Sequence, residues 1–433
     1  MQRLGNWVIV LIVSGPALVG SADWPQWRGP QRNGTWTEAG IVDRFTDTNP
    51  ESRWQMPVGP GYNGPTVADG RVFVMDRLTE PHAAERIHCF AADTGHSLWI
   101  HTYPCVYTKV GYPAGPRAAV TIEQGRAYSL GAMGDLFCLD AGTGQVYWHQ
   151  DLKKQFNIGI PTWGVSAAPL VWRDLLIIQA GGRDGACLVA LDKKTGSEKW
   201  RALDDKASYV APMIIEQAQQ PVLVCWSGTQ VSGLNPTTGT VHWQIPFKPI
   251  RMVIGIADPV YWQEHLFVSG FFDGSLLIKL HPNELQAEQV WHRRGKDERS
   301  TDALHCCIST PVIQDGHVYG VDSYGELRCL ELASGDRVWE SQAPMPKERW
   351  ANIHMVQRDG QVWMFTERGD LLITELSPQG YQEISRTHLI DPTTVQLKRK
   401  GGVGVCWSHP AFAQQSVYVR NDQELRCFSL KKP

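Results

Sequence analysis

The chain has 433 residues, with 41 Lys+Arg against 44 Asp+Glu and a net charge of −3. That balance leaves no basic excess to displace counterions, which excludes a general nucleic-acid or anionic-membrane binder. Hydrophobic residues make up 42%, enough for a large core, while 41 glycines, 27 prolines and 18 tryptophans mark many turns and hence many short strands.

Residues 1–22 read as a signal peptide: Arg3 is the positive end, Trp7 to Val13 the apolar stretch, and Gly20-Ser21-Ala22 the small residues before a cleavage at Asp23. Gly15 and Pro16 break the apolar run, so no stable membrane insertion is expected, and no nearby Cys offers a lipid anchor. The expected location is therefore the periplasm or the cell exterior of a bacterium. Residues 23–52 read as an N-terminal extension and 53–433 as one repeat domain.

A turn-plus-tryptophan signature organises that domain. Thr94-Gly95 precedes Trp99, Thr143-Gly144 precedes Trp148, and Thr195-Gly196 precedes Trp200. Thr238-Gly239 then precedes Trp243, Ser334-Gly335 precedes Trp339, and Trp291 keeps the rhythm without the turn. Upstream of each turn lie an apolar strand, a tight turn and a second strand, as in Thr66-Val67 before Asp69-Gly70. Each unit thus reads as four short antiparallel strands.

The tryptophans at 54, 99, 148, 200, 243, 291 and 339 are spaced by 43 to 52 residues, with Ile384 where the next would fall. The last unit, His409 to Leu430, has three strands, and Trp54 sits on an orphan strand at the other end. Joining them predicts a single all-β, eight-bladed propeller closed by the N-terminal strand, with no exposed sheet edge. The seven tryptophans are expected to dock neighbouring blades. Cys89, Cys138, Cys329 and Cys427 recur at one strand position and read as core thiols.

The Thr-Gly and Asp-Gly turns are short and share one face. The crossings between blades share the other and are long: Ile100 to Pro116, His149 to Val165, His292 to Ile308 and Ser385 to Ser408. Long loops make this crossing face the working face. Residues entering the inner strands should ring its mouth: Tyr62, Asn63, Arg117, Trp163, Ser166, Tyr209 and Asp258, then His305, Cys306, Cys307, Ser309, Trp350, Asn352, Trp407 and His409. Aromatics interleaved with Arg, Asp, His and Asn fit a ligand pocket; packing of a wide axis is the alternative. Cys306-Cys307 reads either as a vicinal disulfide or as two thiols facing opposite ways. No spacing supports a metal site from His305, His409 and Asp258. Lys398-Arg399-Lys400 reads as a solvated loop. A glycosidase would need a second acid beside Asp258, for which Asp302 is the candidate, and no Gly-x-Ser-x-Gly marks a serine hydrolase.

These units, with Cys138-Leu139-Asp140 and Val189-Ala190-Leu191-Asp192 before their turns, resemble pyrroloquinoline-quinone (PQQ) repeat propellers. Asp23-Trp24-Pro25-Gln26-Trp27-Arg28-Gly29-Pro30 and Trp407-Ser408-His409-Pro410-Ala411-Phe412 resemble an exported bacterial subgroup of them. The resemblance implies one of two functions. One is that of quinoprotein dehydrogenases, which oxidise alcohols or sugars with PQQ, Ca²⁺, an Asp base and a vicinal disulfide. The other is that of the propeller lipoprotein of the outer-membrane β-barrel assembly machinery, a scaffold without quinone. Here the Cys pair falls in the sixth unit, no Cys-x-x-Cys-His marks an attached haem, and no set of Ca²⁺ ligands is assignable. The expectation is therefore a monomeric, cofactor-free binding or scaffolding propeller for an exported protein, peptide, glycan or small molecule. A PQQ- and Ca²⁺-dependent dehydrogenase is the alternative.

Overall fold

The computed structural model describes residues 23–433; residues 1–22, which the sequence reads as a signal peptide, lie outside the described residues. Eight four-stranded antiparallel sheets form a ring, at 66–104, 121–151, 170–202, 213–246, 260–293, 312–341, 353–388, and 411–429 together with 54–57. We number them blades 1 to 8. The ring closes as the repeat predicts: Trp54 pairs with Cys427 and Pro57 with Glu424, so the N-terminal strand is the outer strand of blade 8. The one α-helix among the described residues, Leu152–Phe156, lies in the crossing after blade 2. The crossings are shorter than the sequence suggests, because the outer strands run on to Pro104, Asp151, Arg293 and His388.

Each docking tryptophan reaches the next blade. The indole N–H of Trp54 donates to Ala92 O at 2.9 Å, and those of Trp99, Trp148, Trp291 and Trp339 donate to Ala141, Lys193, Leu332 and Ser377. In blades 1, 2, 3, 4 and 6 the ring then covers the glycine of the turn. A Cβ on Gly95 would lie 2.8 Å from the Trp54 ring, and the same holds for Gly239 beneath Trp200 at 2.6 Å. Both glycines also have positive φ, +73° and +74°, so they serve turn and packing at once. This explains why turn and tryptophan recur together. Blade 5 lacks the Thr-Gly, and Trp243 donates instead to Gln217 of its own blade 4, whose amide bonds the Gln286 carbonyl of blade 5 at 2.6 Å. Gln217 relays the contact that a glycine turn would have accepted directly.

The ten cysteines are all buried free thiols, as core packing requires. In Lys398-Arg399-Lys400 the two lysines are exposed, as the solvated reading expects, and Arg399 departs from it. Arg399 is buried, and its Nη2 lies 2.7 and 2.8 Å from the two carboxylate oxygens of Glu367.

The channel is closed on the turn face by residues 24–36, a segment that sequence reading left without a role. Trp24 pairs with Val67 of blade 1, Pro25 O accepts from Ile122 of blade 2, and Trp36 N donates to Gln357 O of blade 7. Arg32 donates to Ala168 and Pro169 O at blade 3, at 3.0 and 2.9 Å. Main-chain pairing thus fixes the segment across the axis and carries Trp27 into the channel.

Candidate functional site

Above Trp27 lies a cavity of about 390 Å³ on the channel axis, lined by residues of the inner strands and the crossings. Of the residues expected at the mouth, Tyr62, Arg117, Trp163, Ser166, Tyr209, Asp258, Cys307, Trp350, Trp407 and His409 line it. Asn63, His305, Cys306, Ser309 and Asn352 do not. Asn63 is spent on the main chain of Met75, donating at 2.8 Å and accepting at 2.9 Å. His305 donates from Nδ1 to Phe271 O at 3.0 Å and accepts from Gly295 N–H at Nε2, which ties the crossing to blade 5. Asn352 accepts from Ile308 N–H and donates to Trp350 O at 2.6 Å, so it positions two lining residues while staying outside the cavity. Alternation explains these exchanges, since neighbours along an extended chain face opposite sides. Cys306 packs among Leu304, Phe267 and Val318, whereas Cys307 packs with Ile254 and Phe271 at the cavity. Burial holds both thiols protonated, with Cys307 pushed up to about 12.

The walls are aromatic. Trp163 and Tyr209 have ring centroids 5.1 Å apart, and Tyr112 bridges Trp350 and Trp407 at 6.2 and 6.4 Å. Trp350 and Tyr112 sit at φ of +62° and +50°. A left-handed backbone costs a bulky residue about 1–3 kcal/mol, and such strain collects at functional sites. Arg349 lies over the Trp350 ring at 4.1 Å and Arg117 over Tyr62 at 4.8 Å. Arg117 also donates to the Gly111, Tyr112 and Gly115 carbonyls, so its charge clamps the first crossing in place. Trp407 donates to Glu367 at 2.8 Å, the carboxylate that also holds Arg399.

Asp258 is the one carboxylate among the lining residues. Burial raises its pKa, opposed by Arg28, the Trp27 indole, Arg32 and the Ala211 backbone. Trp27 donates to Oδ2, and Arg28 Nη1 stands 3.9 Å from it. Asp302 is held instead by Arg293 at 2.9 Å, so no second acid faces Asp258 across the cavity. Among the described residues, no group of three or more His, Cys, Asp or Glu could hold a metal ion.

Sequence reasoning missed Trp27, Tyr112, Met252, Ile254, Ile256, Phe272, Arg349 and His354. The aromatic and Arg-rich stretch Trp24 to Arg32 was the available signal for Trp27. The others lie within crossings, hairpins or strand interiors, where the repeat gives no register.

These residues do not fit PQQ with Ca²⁺. That tricarboxylate needs free cationic donors and the metal needs clustered oxygens, but Arg117 is committed to carbonyls and Arg349 to Glu298, and Asp258 is the one carboxylate in the lining. The Cys pair that would lie flat against a quinone is split, with Cys306 outside the cavity. Titrating the protein with PQQ and Ca²⁺ is expected to give no saturable quenching of tryptophan fluorescence. Saturable quenching lost in Trp350→Ala would restore the dehydrogenase reading.

Comparison with known proteins agrees on the fold. The structure of BamB from Moraxella catarrhalis is similar with a TM-score of 0.55 at 14% identity, over 88% of this chain and 98% of that one. The quinohemoprotein alcohol dehydrogenase from Comamonas testosteroni gives 0.60 at 13% identity, over 95% and 81%. In sequence, the Shewanella oneidensis outer membrane protein assembly factor BamB is 25% identical over 345 residues, 70% of this chain and 82% of that protein. The Yersinia pestis factor of the same name is 23% identical over 208 residues, and the match spans 47% of this chain and 51% of that protein. The sequence pattern of the family described as outer membrane protein assembly factor BamB matches residues 83–341, and the chain belongs to that family.

Proposed function

We propose that this protein is an exported scaffolding propeller that grips an extended segment of a partner protein on its crossing face, with an apolar side chain of the segment entering the cavity. The observation that carries this reading is the cavity itself: aromatic on its walls, floored by Trp27 and framed by strained Trp350 and Tyr112. Its size falls in the range of small-ligand sites, about 300–1,000 Å³, and a few fixed polar groups orient what enters. Membership in a family described by outer-membrane protein assembly supports a polypeptide over a glycan. The proposed partner is accordingly a protein handled during assembly of the outer membrane, met in the periplasm. No helix among the described residues is long and apolar enough to cross a membrane.

The test is a titration with synthetic ten-residue peptides that alternate aromatic and polar residues, against polar isomers of the same length. Saturable binding of the alternating peptides is expected, weakened about tenfold or more in Trp350→Ala, as for an aromatic anchor in a desolvated pocket. Binding that ignores both Trp350→Ala and Trp163→Ala would place the contact elsewhere and defeat the proposal.

A further inference from the structure

Two buried polar atoms on residues that line the cavity have no hydrogen-bond partner. Asp258 is 6% exposed, and its Oδ1 makes no hydrogen bond of good geometry, with the Ala211 backbone N–H near the carboxylate, while Oδ2 takes the Trp27 indole. His409 is 7% exposed, and its Nδ1 lies 3.2 Å from Pro410 O. A carbonyl only accepts, so Nδ1 carries the proton and Nε2, which has no partner, is a bare acceptor. Burial keeps the ring neutral, lowering its pKa to about 3. Both residues line the cavity and flank Trp27, whose ring centroid is 4.6 Å from that of His409.

Buried acceptors without donors are costly, and a ligand that supplies a donor recovers that cost. The surroundings narrow the choice. Among the lining residues Arg117 and Arg349 face one carboxylate, Asp258, which already has Arg28 and Arg32 beside it, and this disfavours an ammonium or guanidinium. A carboxylate tip would set acceptor against acceptor. The aromatic walls favour a ring.

Resting on the polypeptide-binding reading above, we propose that Asp258 and His409 select a ring with a hydrogen-bond donor at its inner end, namely a tyrosine side chain of the bound segment. The phenol carries its hydroxyl opposite the point of attachment, where an inserted ring meets the floor. That hydroxyl has one proton and so donates to one of the two acceptors.

Three isosteric probes test this on the unaltered protein by calorimetry: p-cresol, p-toluidine and p-xylene. The two donors are expected to bind at least about tenfold tighter than p-xylene, as for a hydrogen bond to a charged group. Equal affinities would overturn the selection while leaving an apolar cavity for the peptide reading, so the two failures are distinguishable. N-acetyltyrosinamide should also bind tighter than N-acetylphenylalaninamide. If p-cresol binds but both blocked amino acids are excluded, the site belongs to a free small phenol and the side-chain source is overturned. In Asp258→Asn the preference for p-cresol should shrink to about threefold or less; the isostere comparison stands whether or not that variant folds.

Discussion

Trp54→Ala is expected to cost about 3–5 kcal/mol of unfolding free energy, the range for truncating a buried tryptophan. The residue is 8% exposed, and three separate attachments meet there. Its main chain pairs with Cys427, its indole donates to Ala92 O at 2.9 Å, and its ring covers Gly95. It therefore joins the end of the chain to the beginning of the ring, blade 8 to blade 1. Loosening it leaves the strand Glu424–Ser429 with an unpaired edge, a template for association with other copies. Urea unfolding followed by tryptophan fluorescence, with size-exclusion chromatography for oligomers, measures both effects. Trp200→Ala is the internal comparison: Trp200 is only half-buried and its indole N–H has no partner, so its loss should cost less. A Trp54→Ala cost below about 1 kcal/mol would mean that closure does not hold the ring together.

The ring was legible because each repeated position does one local job. A glycine that must take positive φ and also lie beneath an indole leaves the same two letters in every unit that uses it, so Thr-Gly and Trp recur as a pair. Where the job passes to another residue, as Gln217 does for Trp243, the letters vanish although the contact persists. The mouth was legible at the resolution of the strand, not of the side chain. Position at a strand entrance identified Tyr62, Trp163, Cys307 and Trp350 as cavity residues, but it could not tell Tyr62 from Asn63 or Cys307 from Cys306. Which neighbour faces the axis depends on main-chain pairing further along, as at Met75 for Asn63. The floor was beyond local reasoning. Trp27 reaches Asp258 across 231 residues of sequence, and its place is set by pairing of the extension with blades 1, 2 and 7. Arg399 misled for the opposite reason: a basic run reads as solvated until Glu367, a single buried acid on a distant turn, comes to meet it.

The second large effect concerns acid. His354 and His409 stand with ring centroids 6.2 Å apart beside the cavity, and burial lowers their pKa values to about 4 and about 3. Each also sees the other's charge or a carbonyl. His354 Nε2 donates to Trp407 O at 2.9 Å, and the proximity of His354 lowers His409 further. The unfolded chain protonates both near the ordinary value of 6.5, so it binds more protons than the folded state below that pH. Their contribution is thus complete above pH 6.5 and is lost progressively as pH falls towards the folded values. His354 keeps part of its surface open to the cavity, so its share is the smaller. Between one and two protons then separate the states, a loss of about 1.4–2.7 kcal/mol per pH unit. The buried acids Asp258 and Glu367, whose pKa values burial raises, act in the opposite sense. The measurement must therefore be a difference. Urea unfolding of the wild type and of His354→Gln/His409→Gln at pH 7.5, 6 and 5 should show the wild type losing stability relative to the variant, by that slope between pH 6 and 5 and by less above pH 6. Parallel pH profiles would mean that these histidines can take up protons without unfolding, which requires water to reach Nε2 of His409 through the floor of the cavity.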